Sequence, residues 1–139
     1  MQNYCCVHLA IIDFFLYYIH INSATKGGIK MTVTDLKEQL CLHSAYSNMD
    51  CNKIINGCYI GDYLSHVMKN AKPQNIWLTV VNNPNTVAVA MLKGLSCIIM
   101  CENVKPTEET IKTASEKKIP ILLYNRTAYQ LAVEISRVI

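Results

Sequence analysis

Two kinds of apolar pattern run along this chain, and their alternation predicts its architecture. Residues 76–81 read Ile-Trp-Leu-Thr-Val-Val, a β-branched and aromatic run without polar alternation. Asn82-Asn83-Pro84-Asn85 follows as a turn cluster. Residues 86–92 then form a short Ala/Val helix that Gly94 ends, and 96–100 are a second apolar run. Strand, turn, helix and strand in so short a stretch predict a βαβ unit, because parallel neighbours need a crossover between them. Runs apolar on both sides of the pleat predict strands buried on two faces, as at the centre of a parallel sheet.

The pattern extends in both directions. Thr34 is placed to cap a helix over 35–42, with Leu36 and Leu40 on one face. Residues 43–47 read as a short strand and 53–60 as a longer one, whose interior Gly57 implies a bulge or a close backbone approach. Gly61-Asp62 opens a helix over 63–71 with Leu64, Val67, Met68 and Ala71 at three- and four-residue steps, and Pro73 marks its end. After the loop Cys101-Glu102-Asn103, Pro106 suits the first turn of a helix with Glu108 and Glu109 early and Lys117 and Lys118 late, opposing the helix dipole at both ends. Pro120 starts a strand over 121–124. Thr127-x-x-Gln130 is a capping box before a final helix striped by Ala128, Leu131, Ala132, Ile135 and Val138. The expected fold is one α/β domain, a mainly parallel sheet of four to five strands with helices on both faces.

Composition changes this picture at the amino-terminal end. Residues 5–21 are an apolar run interrupted by His8, Asp13 and His20, short for a membrane span and lacking the basic start of a signal peptide. Lys26-Gly27-Gly28-Ile29-Lys30-Met31 back-translates to a purine-rich ribosome-binding sequence, a spacer and a start codon. Residues 1–30 are therefore expected to be a leader from a misassigned start, the alternative being an N-terminal membrane anchor, and 31–139 the domain. Removing Lys26, Lys30 and Asp13 leaves 11 basic and 9 acidic residues, with no basic stripe for nucleic acid. The five cysteines beyond residue 31 show no Cys-x-x-Cys spacing; they read as buried small residues of a reducing, cytoplasmic protein rather than as a metal site.

No phosphate-binding Gly-x-x-x-x-Gly-Lys-Ser/Thr loop, no Gly-x-Gly-x-x-Gly and no nucleophile elbow is present, and only His43 and His66 remain as bases beyond the leader. No catalytic set, cofactor or metal is expected. Polar residues instead gather where the proposed strands end: Gly61, Asp62, Asn82, Asn83, Asn85, Cys101, Glu102 and Asn103. Ligands of open α/β sheets bind along that rim, and helices starting at Asp62, Asn85 and Pro106 would aim N–H groups at an anion. The competing reading is that Asp62 and Asn85 are ordinary helix caps.

The segment Gly57-Cys58-Tyr59-Ile60-Gly61-Asp62-Tyr63-Leu64-Ser65-His66-Val67-Met68 resembles the opening motif of DRTGG-domain proteins. Asn85-Thr86-Val87-Ala88-Val89-Ala90, Lys105-Pro106-Thr107-Glu108-Glu109-Thr110 and Ile119-Pro120-Ile121-Leu122 continue it, over residues 53–139. The resemblance is to small stand-alone bacterial members related to the N-terminal domain of HPr kinase and the middle domain of phosphate acetyltransferases. It implies a non-catalytic regulatory or ligand-sensing module acting with a partner protein, on a small anionic or nucleotide-like ligand, without nucleic acid or membrane. The alternatives are a structural homodimer using Tyr63, Tyr129 and Met91, or a small enzyme with Cys101 or Asp62 as the reactive group. The chain departs from the family pattern in three places: Tyr63 replaces its arginine, Cys101-Glu102-Asn103 replace its Thr-Gly-Gly, and Asn83 stands where small members often carry histidine.

Overall fold

The computed structural model describes residues 30–139; the leader expectation falls on residues outside that part, Lys30 apart. In chain order the elements are α1 (Val33–Gln39), β1 (His43–Ser44), β2 (Gly57–Ile60), α2 (Leu64–Asn70), β3 (Asn75–Thr79), α3 (Pro84–Lys93), β4 (Cys97–Met100), α4 (Glu108–Lys117), β5 (Ile121–Leu123) and α5 (Ala128–Ile135). The strands form one sheet in the order β1-β5-β4-β3-β2. β2 to β5 are parallel, and β1 lies antiparallel on β5.

This order decides the layering. Successive parallel strands are added in a single direction, so crossovers of one hand lay their helices on one face. Val67 of α2, Val87 of α3 and Ala114 of α4 accordingly pack with Trp77, Ile98, Met100 and Ile121. Val33 and Leu36 of α1 and Leu131 and Ile135 of α5 cover the other face, against Ile76, Leu78, Cys97, Ile99 and Leu122. All residues of β3 and β4 are buried, because helices close both sides of them.

Several boundaries differ from the sequence expectation, each for a local reason. α1 is capped by Thr32, not Thr34: Thr32 Oγ1 accepts from Asp35 N, and the Asp35 carboxylate accepts from Thr32 N at 2.8 Å, a reciprocal box. Residues 53–56 are not strand. They pair with the segment leading into α1, where Ile54 bridges Thr32; the Ile54 carbonyl accepts from Ser96 Oγ, and β2 begins at Gly57. Gly57 is needed for a close approach: a Cβ there would lie 2.9 Å from Asn75 Nδ2. α3 starts two residues earlier than the Ala/Val pattern suggests, with Asn83 as its cap and Pro84 in the first turn. Pro106 lies outside α4, whose cap is Thr107.

Candidate functional site

The carboxyl ends of four parallel strands share one edge of the sheet, and their loops form a crest. Each predicted residue has a definite place there. Gly61 follows β2; its N–H donates to Leu78 O at 3.2 Å and its carbonyl accepts the buried indole N–H of Trp77 at 2.7 Å. Asp62 does not cap α2. The cap residue is Tyr63, without a side-chain hydrogen bond. Asp62 Oδ1 instead reaches across to the end of β3, accepting from Thr79 Oγ1 at 2.7 Å and from Val80 N at 2.9 Å. Its carboxylate ties two strand ends together.

The asparagine cluster divides by task. Asn83 Oδ1 accepts from Asn85 N at 3.0 Å, so Asn83 is the cap and Asn85 the capped residue, the reverse of the expectation. Asn82 Oδ1 accepts from Thr107 N at 2.8 Å, pinning the start of α4 to the end of β3. Asn82 and Asn83 are therefore structural acceptors, and Asn85 sits exposed in the first turn of α3. The structure brings together Gly61, Asp62, Cys101, Glu102 and Asn103.

Cys101 lies at the centre of this group. It is fully enclosed, its N–H donating to Thr79 O at 3.0 Å. Burial pushes its thiol up to about 11, and the neighbouring Glu102 and Asp62 carboxylates add to the shift. A thiol held protonated is the opposite of an activated nucleophile. Glu102 and Asn103 both adopt left-handed backbone, φ 59° and 60°. These are the two places where the family pattern has glycine, so the turn keeps the conformation that glycine serves while carrying side chains.

The crest also contains a group that the sequence reading missed. Past β4 the chain turns to α4 on one face, and past β5 it turns to α5 on the other, so the two loops diverge between adjacent strands, the arrangement that makes ligand crevices in open sheets. Here the loops are stitched: Glu102 N donates to Arg126 O at 2.9 Å and Asn103 N to Tyr124 O at 3.3 Å. Arg126 Nη2 contacts Glu134 Oε1 at 2.6 Å, and its guanidinium lies 5.2 Å from the ring centroid of Tyr124. The Tyr124 hydroxyl donates to the same Glu134 oxygen at 3.0 Å. Burial raises the pKa of that hydroxyl, and its bond to Glu134 raises it further. Arg126 is thus a guanidinium fixed by a carboxylate and a ring, with donors left over. The rule that placed Asp62 and Glu102, polar residues just past a strand, also applies to Arg126 and could have found it.

Two surface cavities lie away from the crest. One, of about 490 Å³, is lined by Lys37, Tyr46, Asn48 and Met49 beside β1. The other, of about 470 Å³, includes Lys53, Gln74, Gly94 and Lys117 at the opposite end of the sheet. α3 and α4 end there, so Lys117 answers the carbonyl ends of the helices, a structural role that needs no anion.

With this geometry in view, comparison with known proteins is specific about class. The DRTGG domain family matches residues 41–138, and the chain belongs to that family. A solved structure with the same fold is the regulatory region, CBS and DRTGG domains, of Clostridium perfringens pyrophosphatase complexed with its activator, diadenosine tetraphosphate. It aligns at TM-score 0.64 and 12% identity, over 87% of this chain and 56% of that one. The chain therefore spans just over half the length of that neighbour. Among curated proteins, none matches the sequence. No helix among the described residues is long and apolar enough to cross a membrane.

Proposed function

We propose that this domain is a non-catalytic, ligand-sensing regulatory module that acts with a partner protein in the cytoplasm. The observation that carries the reading is the crest: strand-end loops of a regulatory-family fold, bound to one another and bearing the Asp62 and Glu102 carboxylates, the Arg126 guanidinium held by Glu134, and the enclosed Cys101 thiol held protonated. The five cysteines among the described residues are free, which agrees with a reducing compartment.

The ligand is nucleotide-like, and its chemistry follows from the charges. Asp62 and Glu102 repel phosphate but accept hydrogen bonds from ribose hydroxyls or base amines. Arg126, already oriented, provides the fork for a phosphate that Tyr63 cannot. The solved neighbour's dinucleotide activator supports testing this class first. Glu102 and Asn103 join the loops of β4 and β5, so a ligand seated between them would bias the two helix layers together, which is what a regulatory module must transmit.

Thermal denaturation with ATP and with diadenosine tetraphosphate tests the reading. A ligand at a hundred times its dissociation constant stabilises the folded state by about 2.7 kcal/mol, a shift of several degrees for a domain of this size. Arg126→Ala is expected to remove that shift while leaving the unliganded midpoint nearly unchanged, since an exposed ion pair contributes little. If neither nucleotide moves the midpoint of the wild-type protein, the ligand assignment is wrong.

A further inference from the structure

We propose that the β2 edge of the sheet, which pairs with no further strand among the described residues, is a self-association surface whose occupant is a second copy of this chain, paired antiparallel along β2 about a two-fold axis at Tyr59. The proposal does not rest on the ligand reading. The two edges of the sheet are unequal. The β1 edge is two residues long, too short to template pairing, whereas β2 presents four. Gly61 N donates to Leu78 O, and alternate residues of a parallel strand bond to the same neighbour; residues 57, 59 and 61 therefore face β3, and the N–H and C=O groups of Cys58 and Ile60 point outward.

Natural edges are guarded by charge, proline or bulges. This one is not. Residues 54–61, Ile-Ile-Asn-Gly-Cys-Tyr-Ile-Gly, contain no charge and no proline. That neutrality selects the occupant. A two-fold contact sets a strand against its own residues, so a charged strand repels itself and a neutral one does not. A charged peptide would find no counter-charge along the strand. A two-fold axis at Tyr59 pairs Cys58 with Ile60 of the second copy and Ile60 with its Cys58, making four backbone hydrogen bonds, with the two Tyr59 residues facing each other between them.

Apolar surface flanks this edge. Ile60, Tyr63 and Met68 are 49%, 68% and 37% exposed, on β2 and on the element that follows it. The expected trio of Tyr63, Tyr129 and Met91 does not make one interface: all three are exposed, but Met91 is on α3 and Tyr129 on α5, which cover opposite faces of the sheet.

Sedimentation velocity on the full chain, from about 1 to about 100 µM, spans the range where so small an interface should assemble. The wild-type protein is expected to shift from monomer toward dimer. Ile60→Pro removes only an outward N–H and should abolish the dimer while the circular dichroism spectrum stays native. Ile60→Lys gives the same reading should the proline variant misfold. Leu92→Lys, on exposed surface of α3, should leave the dimer intact. Hydrogen exchange at the Cys58 and Ile60 amides should slow as concentration rises, while Tyr59 is protected throughout. A wild-type monomer at the highest concentration, a dimer that survives both Ile60 variants, loss of the dimer in Leu92→Lys, or concentration-independent exchange at Cys58 and Ile60 would each overturn the proposal.

Discussion

Asp62 shows how a single residue type can satisfy two structural grammars. An aspartate between a strand and a helix looks like a cap, yet its Oδ1 holds the end of β3 through Thr79 and Val80. Local sequence cannot choose between these, because the same carboxylate reaches its own helix or the next strand and only the strand register decides. Asp62→Ala should lower stability by about 1–2 kcal/mol, the loss of two hydrogen bonds to a charged acceptor. Urea midpoints of Asp62→Ala and Thr79→Val should not be additive, since both remove the same bond; full additivity would separate Asp62 from β3. Glu102 is the converse case, a side chain on left-handed backbone. Glu102→Gly should raise stability by about 0.5–1 kcal/mol through relief of that strain. A destabilised Glu102→Gly would mean that the Glu102 side chain contributes more than its backbone costs.

At the scale of elements, alternation was the most legible feature. The β3–α3–β4 unit could be read because two buried strands have no solvent face to make polar, and Gly94 ends α3 in left-handed backbone, φ 63°. The Thr127–Gln130 box forms as its spacing predicts. Element ends were harder to read. Asn83 and Thr107 cap one residue outside helices whose apolar pattern starts later, and residues 53–55 look like strand but are held by α1's leading segment through Val33 N to Lys53 O and Ile55 N to Met31 O. Trp77 is the element-level test. It is wholly buried between the sheet and the α2–α4 layer. Trp77→Ala should cost about 3–5 kcal/mol, against about 1 kcal/mol for Thr127→Ala, because a large cavity outweighs one cap bond. Equal denaturation midpoints for the two variants would contradict this ranking.

At the scale of the whole molecule, Cys97 and Cys101 belong to the core and Cys58 packs against it, whereas Cys41 is exposed. Cys58, Ile76 and Cys97 form one row across β2, β3 and β4, on the α1–α5 face. Burial holds the Cys58 thiol up to about 12 and Cys101 up to about 11, from an ordinary 9.0, and raises Cys97 as well. Between pH 9 and these values the unfolded chain releases protons that the folded chain keeps, so ν for the unfolded state is the smaller and stability falls as pH rises. The contribution is intact below about pH 9 and lost through about pH 11–12. Stability measured by urea titration should decline across this window, less steeply in Cys58→Ala/Cys101→Ala; identical slopes would remove the thiols as the cause.

The sequence by itself determined the class of the molecule: a parallel α/β sheet with buried central strands, helices on two faces, and polar loops where the strands end. Those features are written in periodicity, which each segment carries alone. Only the tertiary structure decided the order β1-β5-β4-β3-β2, the place of β2 at the longer edge, and the partners of Asp62, Asn82 and Arg126. The physical reason is that a carboxylate, amide or guanidinium can satisfy its hydrogen bonds in several places. Which place it takes depends on backbone brought near by strands distant in sequence.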